Sequence, residues 1–260
     1  VVTNPKTGEV IKNLTTLGNT MLGDYGIFNQ FFVDILPIPN GKFIFAYVYG
    51  VDDYIVHVKK YGNAQNGYTV EVPAKLIINI GDVHANGRNI RLILKNSSTV
   101  MVIGTYIPDS TAEIQLCKLE MDYNCNITQS IIILYIAILN MEQFGCIFTY
   151  YDTDTGYLYL LFERTWYNFH GIAYMIINCL NNTVVIYPIL ISIDWAYIHS
   201  VRGVLPLNPF DSLGILYHAW NIIKLDNGNL CLQFMDTTVA GVYGATKFVI
   251  INQAGGIITI

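Results

Sequence analysis

The chain has 260 residues, of which 53% are hydrophobic and only 13% are charged, and its formal net charge is −5. Its charged fraction is about half the usual share, and no Lys/Arg cluster exists beyond Lys59-Lys60. This argues against binding to nucleic acid, because several cations are needed to neutralise phosphates. The most apolar run, residues 131–139, is too short for a membrane-spanning helix, which needs about 20 residues.

Five short turns of one type recur along the chain. Each starts with Asn or Asp and ends four residues later with Gly or Asn, before an apolar segment: residues 4–8, 63–67, 122–126, 178–182 and 252–256. Their first residues are 59, 59, 56 and 74 positions apart. An Asx side chain accepts hydrogen bonds within its own turn, and Gly or Asn tolerates positive φ. The series therefore predicts tight hairpins in a repeat architecture.

Segments rich in β-branched and aromatic residues lie between the turns, and helical periodicity is absent. A second turn series interleaves with the first and begins at Pro39, Asn96, Asp152 and Asp226. Together the two series predict four strands per repeat, here called A to D. In the first repeat, strands A to D span 31–38, 42–49, 53–61 and 68–72, and in the second they span 89–95, 99–107, 112–120 and 127 onward. In the third repeat they span 145–151, 157–164, 172–178 and 183–192, and in the last they span 214–225, 229–235, 245–252 and 257–260.

Four antiparallel strands repeated about every 58 residues resemble the blade of a β-propeller. We predict one all-β, propeller-like domain over residues 1–260, with a partial repeat at 1–8 and full repeats at 9–67, 68–126, 127–182 and 183–260. The resemblance names no subfamily, since the kelch Gly-Gly pair, the WD dipeptide and the sialidase Asp-box are absent. A β-sandwich is the structural alternative. The partial repeat allows two interpretations: an N-terminal hairpin that joins the last blade, or a segment of a longer propeller.

In a propeller, the A–B and C–D turns lie on one face, the turn face, and the B–C and D–A connections lie on the other, the loop face. The predicted D–A connections are long, at 17–29, 80–88, 140–144 and 193–213, and long loops on a rigid scaffold commonly carry function. We therefore predict a binding site on the loop face. Its candidate residues are Asp82, His84, Arg88, Trp166, His170, Asp194, Trp195, His199 and Arg202.

The sequence contains three further features. Four N-glycosylation sequons begin at Asn13, Asn96, Asn126 and Asn181, and the last three fall at tight turns. Cys117 and Cys125 lie symmetrically about Met121, which makes a cross-strand disulfide geometrically feasible; alternatively, all five cysteines are buried small hydrophobic residues. Asp152 and Asp154 resemble half of a calcium loop, but an Asx-stabilised hairpin explains them more simply. We predict no metal and no cofactor.

The sequence favours a non-catalytic recognition or attachment module, extracellular or on a virion surface, that binds a cell-surface glycan or protein. The charge-poor, Ile-, Asn- and Tyr-rich composition is similar to that of surface proteins from hot acidic habitats and their viruses. The nucleophile elbow G-x-S-x-G and phosphate-binding glycine loops are absent, which argues against an enzyme without excluding one. Two alternatives stay open: a glycan-cleaving hydrolase using loop-face carboxylates such as Asp82 and Asp194, and a structural subunit that packs against copies of itself.

Overall fold

The computed structural model describes residues 2–4, 6–12, 33–49, 55–79, 90–106, 113–138, 143–166, 169–194, 221–236, 245–252, 254 and 256–259. Most of these residues are in β-strands, and they include short 3₁₀ turns at Pro39–Gly41 and Ala64–Asn66. No helix in this part of the chain is long and apolar enough to cross a membrane.

Sixteen of the strands form four antiparallel sheets, each built from four strands consecutive in sequence. The first sheet contains β3 (Val33–Ile38), β4 (Lys42–Tyr49), β5 (Ile55–Tyr61) and β6 (Val70–Asn79); the second contains β7 (Ile90–Leu94), β8 (Thr99–Tyr106), β9 (Glu113–Asp122) and β10 (Ile127–Ile138). The third contains β11 (Gln143–Asp152), β12 (Tyr157–Trp166), β13 (Phe169–Asn178) and β14 (Thr183–Asp194); the fourth contains β15 (Asn221–Lys224), β16 (Leu230–Asp236), β17 (Ala245–Ile251) and β18 (Ile257–Thr259). The predicted all-β fold of four-stranded antiparallel blades is confirmed.

The first strands of consecutive sheets lie against one another, β3 against β7, β7 against β11, and β11 against β15. These are therefore the inner strands of the blades, and the last strands, β6, β10, β14 and β18, lie at the outer edges. A side chain links the first two inner strands, since the Asp34 Oδ2 atom of β3 accepts the Leu92 N–H of β7 at 2.7 Å.

The remaining strands, β1 (Val2–Thr3) and β2 (Val10–Lys12), form a separate two-stranded sheet. The fourth sheet consists of β15 to β18. Among the described residues, the N-terminal hairpin therefore has no ladder pairing with the fourth sheet, and both interpretations of the partial repeat stay predictions.

The third sheet shows how the blades share their cores. In β12, Leu158 and Leu160 belong to the apolar cluster shared with the first two sheets, whereas Tyr159 and Leu161 belong to the cluster shared with the fourth. Successive strand residues point to opposite faces, so this sheet is buried on both sides. That arrangement explains why its strands are almost continuously apolar rather than alternating.

The turns form by the predicted chemistry. The Asp122 Oδ1 atom accepts the N–H groups of Asn124 and Asn126, both at 2.8 Å, and the Asn63 Oδ1 atom accepts the Gln65 N–H at 3.1 Å. Gly8 has φ +70°, a conformation that favours glycine.

The first outer strand is longer than the predicted segment 68–72, because β6 continues through Pro73 to Asn79. Proline is accommodated there since one edge of an outer strand makes no ladder hydrogen bonds.

Candidate functional site

Three of the predicted binding residues meet at the loop-face end of the third sheet. Trp166 ends β12 and pairs with Phe169, the first residue of β13. His170 pairs with Thr165 on one side and with Asp194, the last residue of β14, on the other. The backbone register therefore gathers Trp166, His170 and Asp194 at one end of one blade. The other candidates, Asp82, His84, Arg88, Trp195, His199 and Arg202, lie outside the described residues.

These three residues follow a line that runs outward from the centre of the propeller. Neighbouring strands are about 4.8 Å apart, so the backbone of β14 lies about 14 Å from that of the inner strand β11. Paired catalytic carboxyl groups are usually no more than about 9.5 Å apart. The backbone of Asp194 therefore lies farther from the inner strand β11 than this separation.

Asp34 is a carboxylate at an inner strand that the sequence analysis did not select. It is the second residue of β3, near the loop-face end, and it is half-buried. Its Oδ1 atom accepts the Ile35 N–H at 2.9 Å and its Oδ2 atom accepts the Leu92 N–H at 2.7 Å. These bonds fix the carboxylate between two blades. The sequence feature that could have identified Asp34 is its position as an acidic residue inside an otherwise apolar strand, because charged residues are rarely buried.

The turn face holds a shallow cavity of about 600 Å³ in the first blade. Its lining residues are Asn40, Gly41, Asn63, Ala64, Gln65 and Tyr68. The Asn63 Nδ2 group donates to the Asn40 carbonyl at 2.8 Å and thereby joins the two turns. None of these described lining residues is acidic or basic.

Ion pairs near the turn face tie neighbouring blades together. The Lys118 ammonium is fully buried and donates to Glu120 Oε1 at 2.9 Å and to the Cys179 carbonyl of the third blade at 3.3 Å. Lys95 donates to the same Glu120 oxygen at 2.7 Å. Burial opposes ionisation of Glu120, but the hydrogen bonds from Lys95 and Lys118 outweigh it and lower the pKa of this carboxyl group. The cluster joins blades and is too enclosed to serve as a ligand site.

Asp152 and Asp154 form the turn between β11 and β12. The Asp152 Oδ1 atom accepts the Asp154 N–H at 3.1 Å, while the Lys224 ammonium donates to Asp152 Oδ2 at 2.9 Å. Burial opposes ionisation of Asp152, but Lys224 and backbone hydrogen bonding lower its pKa. The cation beside this acid is therefore a lysine of the fourth blade, which fits the Asx-stabilised hairpin. Among the residues that the structure describes, no three His, Cys, Asp or Glu side chains cluster as metal ligands.

The disulfide between Cys117 and Cys125 does not form. β9 continues through Met121 to Asp122, so the turn follows Met121 rather than centring on it. Cys117 consequently pairs with Gly104 and Ile133, whereas Cys125 lies within the turn at φ +58°. Both are buried free thiols, and burial raises the pKa of Cys117 to about 12 and that of Cys125 to about 11. They are small core residues and not reactive groups.

The sequon residues Asn96, Asn126 and Asn181 lie in exposed turns, and Asn13 lies outside the described residues. Their amide groups differ in their contacts, since the Asn126 Nδ2 group donates to Asp122 Oδ2 at 2.9 Å. Glycosylation at these positions stays a prediction.

Solved structures similar to this chain include an arabinofuranosidase and a levansucrase. The chain is similar to an α-L-arabinofuranosidase from Fusarium graminearum, with a TM-score of 0.50 and 10% identity over 88% of this chain and 63% of that one. It is also similar to a mutant levansucrase from B. megaterium, with a TM-score of 0.55 and 12% identity over 95% of this chain and 70% of that one. The chain thus spans about two thirds of either protein. No protein-family profile and no curated protein sequence matches it.

These similarities establish the fold as a β-propeller. They also correct the functional prediction, because the structural neighbours are an arabinofuranosidase and a levansucrase rather than attachment proteins. The expectation of a non-catalytic recognition module is wrong, and the glycan-cleaving alternative is the better supported one.

Proposed function

We propose that this protein is a glycoside hydrolase whose reaction takes place at the loop-face end of the inner strands. The observation that carries the proposal is Asp34, a half-buried carboxylate at that end of β3, held by backbone N–H groups of two blades. The similarity to two propeller enzymes that act on sugars supports this chemistry.

Cleavage of a glycosidic bond uses two carboxyl groups. One acts either as the nucleophile that attacks the anomeric carbon or as the base that activates the attacking water. The other protonates the leaving oxygen. We assign the first role to Asp34, because its two hydrogen bonds fix its position as such a group requires. We assign the second role to Glu142, which lies outside the described residues and directly precedes Gln143, the first residue of the inner strand β11.

Trp166 and His170 are assigned to substrate binding. They lie at the loop-face ends of β12 and β13, the second and third strands of the third blade. A sugar unit beyond the cleaved bond would extend outward along this blade towards Asp194. Aromatic and hydrogen-bonding side chains are suited to hold it, since sugar rings have one apolar face and many hydroxyl groups.

The test is hydrolysis of 4-nitrophenyl α-L-arabinofuranoside and of sucrose by the wild-type protein and by the variants Asp34→Asn and Glu142→Gln. Each substitution keeps the size of the side chain but removes its acid–base function, so we expect kcat/KM to fall by about a hundredfold or more. Asp226→Asn is the matched control, because Asp226 is exposed in the turn between β15 and β16. Absence of hydrolysis by the wild type, or an active Asp34→Asn variant, would contradict the proposal.

A further inference from the structure

The cavity of the turn face lies where the first blade departs from the repeat. The C–D turn of this blade is closed by a hydrogen bond from the Gly62 N–H to the Thr69 carbonyl at 2.8 Å, which encloses the six residues 63–68. In the second blade, the corresponding bond from the Asp122 N–H to the Asn126 carbonyl encloses only residues 123–125. The cavity of about 600 Å³ lies between the wider turn and the A–B turn of the same blade.

Tyr68, the last of the six enclosed residues, has a left-handed backbone with φ +55°. A residue with a large side chain rarely adopts this conformation, because it is sterically unfavourable. Strained residues of this kind cluster at ligand sites, where the surrounding structure holds them in place. Here the Tyr68 N–H donates to the Asn63 carbonyl at 2.9 Å, and the half-buried Tyr68 side chain lines the cavity. The turn thus maintains a strained aromatic residue at the cavity.

The Asn63 side chain joins the two walls of the cavity. Its Nδ2 group donates to the Asn40 carbonyl of the A–B turn at 2.8 Å, and its Oδ1 atom accepts the Gln65 N–H of the C–D turn at 3.1 Å. Because both turns are fixed to one side chain, the cavity has its shape before a ligand arrives. Such preorganisation lowers the entropic cost of binding.

The lining of the cavity selects a class of ligand. None of its six residues is charged, and Lys42, which follows the lining residue Gly41, pairs with Glu71 at 2.7 Å. Asn40 and Gln65 are exposed, and each amide can both donate and accept hydrogen bonds. An apolar ligand would cover these amides without bonding to them, which is unfavourable. The lining therefore fits a neutral ligand that has hydroxyl groups and an apolar face.

We propose that this cavity binds a neutral glycan on the face opposite the reaction site. The Tyr68 ring packs against the apolar face of a sugar unit, and the Asn40 and Gln65 amides bond to its hydroxyl groups. The volume lies within the range of about 300–1,000 Å³ that is usual for ligand pockets. The choice of a glycan among neutral hydroxylated ligands rests on the proposed function. Binding here holds the protein on a polymeric substrate while the loop face cleaves it.

The experiment is affinity electrophoresis in gels that contain arabinan, levan, dextran or the acidic polysaccharide polygalacturonate. The parent protein is Asp34→Asn, so that hydrolysis does not shorten the polysaccharides, and Tyr68→Gly and Gln65→Ala are each added to it. Tyr187→Ala is the matched control, because Tyr187 is a 66% exposed tyrosine in β14 of the third blade. We expect the parent to be retarded by a neutral polysaccharide, with a dissociation constant that Tyr68→Gly raises at least about tenfold. Gln65→Ala should raise it less, and Tyr187→Ala should leave it unchanged.

The proposal is overturned if none of the three neutral polysaccharides retards the parent, or if polygalacturonate retards it equally. It is also overturned if Tyr68→Gly leaves the dissociation constant unchanged or Tyr187→Ala raises it equally. Glycine adopts positive φ without strain, so the thermal melt of Tyr68→Gly should not fall below that of the parent. If it does, Gln65→Ala decides, since it keeps the backbone N–H that Asn63 accepts, and an unchanged dissociation constant for this variant overturns the proposal.

The outcome is independent of the hydrolysis test. A wild-type protein that binds polysaccharide through Tyr68 but hydrolyses neither small substrate would contradict the proposed function and support this binding site. A protein that hydrolyses them but is retarded by no neutral polysaccharide would support the proposed function and overturn this binding site.

Discussion

The turn face and the loop face of the propeller are built on different principles. At the turn face the same contacts recur from blade to blade: an Asx oxygen accepts backbone N–H groups, and a residue with positive φ follows, which is Gly67, Cys125 or Asn182 in the three turns. At the loop face the described residues do not repeat, since Asp34 lies in the first blade and Trp166, His170 and Asp194 lie in the third. Residues that recur in successive blades maintain the fold, whereas residues that occur in one blade are candidates for function. Substitutions at the turn face should thus change stability without changing hydrolysis, the opposite of Asp34→Asn.

The largest effect on stability is expected at the buried cluster of Lys118 and Glu120. Glu120→Ala leaves the Lys118 ammonium buried with the Cys179 carbonyl as its remaining partner in the described residues. Breaking such a pair costs about 3–5 kcal/mol in the free energy of unfolding, measurable by urea denaturation.

Lys118→Met is the control for that measurement. It removes the buried charge itself and leaves Glu120 paired with Lys95 at 2.7 Å, so its cost should be clearly smaller than that of Glu120→Ala. Equal losses for the two variants would show that packing, and not the uncompensated charge, determines the effect.

An intermediate effect is expected from glycines of the hairpins. Gly156 has φ +72°, and an added Cβ would lie 2.6 Å from the Leu180 Cγ atom. Gly8 has a similar φ of +70° but no neighbouring atom within 4 Å of such a Cβ. Gly8→Ala should therefore cost about 1 kcal/mol for backbone conformation alone, and Gly156→Ala should cost more. Thermal melts of the two variants measure the difference, and a larger loss for Gly8→Ala would contradict the contact argument.

The smallest effect is expected in the response to acid. The pKa of Glu120 in the folded chain is lower than its ordinary value of 4.5, because the hydrogen bonds from Lys95 and Lys118 outweigh the effect of burial. Its stabilising contribution is thus present above pH 4.5 and is lost as the pH falls through the lower folded pKa. Glu120→Gln should lose less stability than the wild type when denaturation at pH 3 is compared with pH 6. If the wild type and Glu120→Gln lose equal stability between pH 6 and pH 3, the acid sensitivity comes from other carboxyl groups, such as Glu71 or Asp152.

Much of the fold was predictable because its determinants are local. The predicted strand 42–49 agrees with β4, and the turn at Asp122 forms by the expected Asx bonds. The prediction of a disulfide was wrong because it placed the centre of a turn at Met121, whereas β9 extends one residue beyond Met121. Trp166, His170 and Asp194 were selected from their loop positions alone, and the register brings them together.

The sequence by itself determined the strands, the turns and their repetition, because β-branched and aromatic residues favour strands and Asx and Gly residues favour turns through local conformation. Only the tertiary structure showed that β3, β7, β11 and β15 are the inner strands, since their contacts join residues far apart in the chain. Asp34 is the clearest case. In the sequence it is one acid within an apolar segment, and its link to Leu92, 58 positions away, exists only when two blades pack side by side.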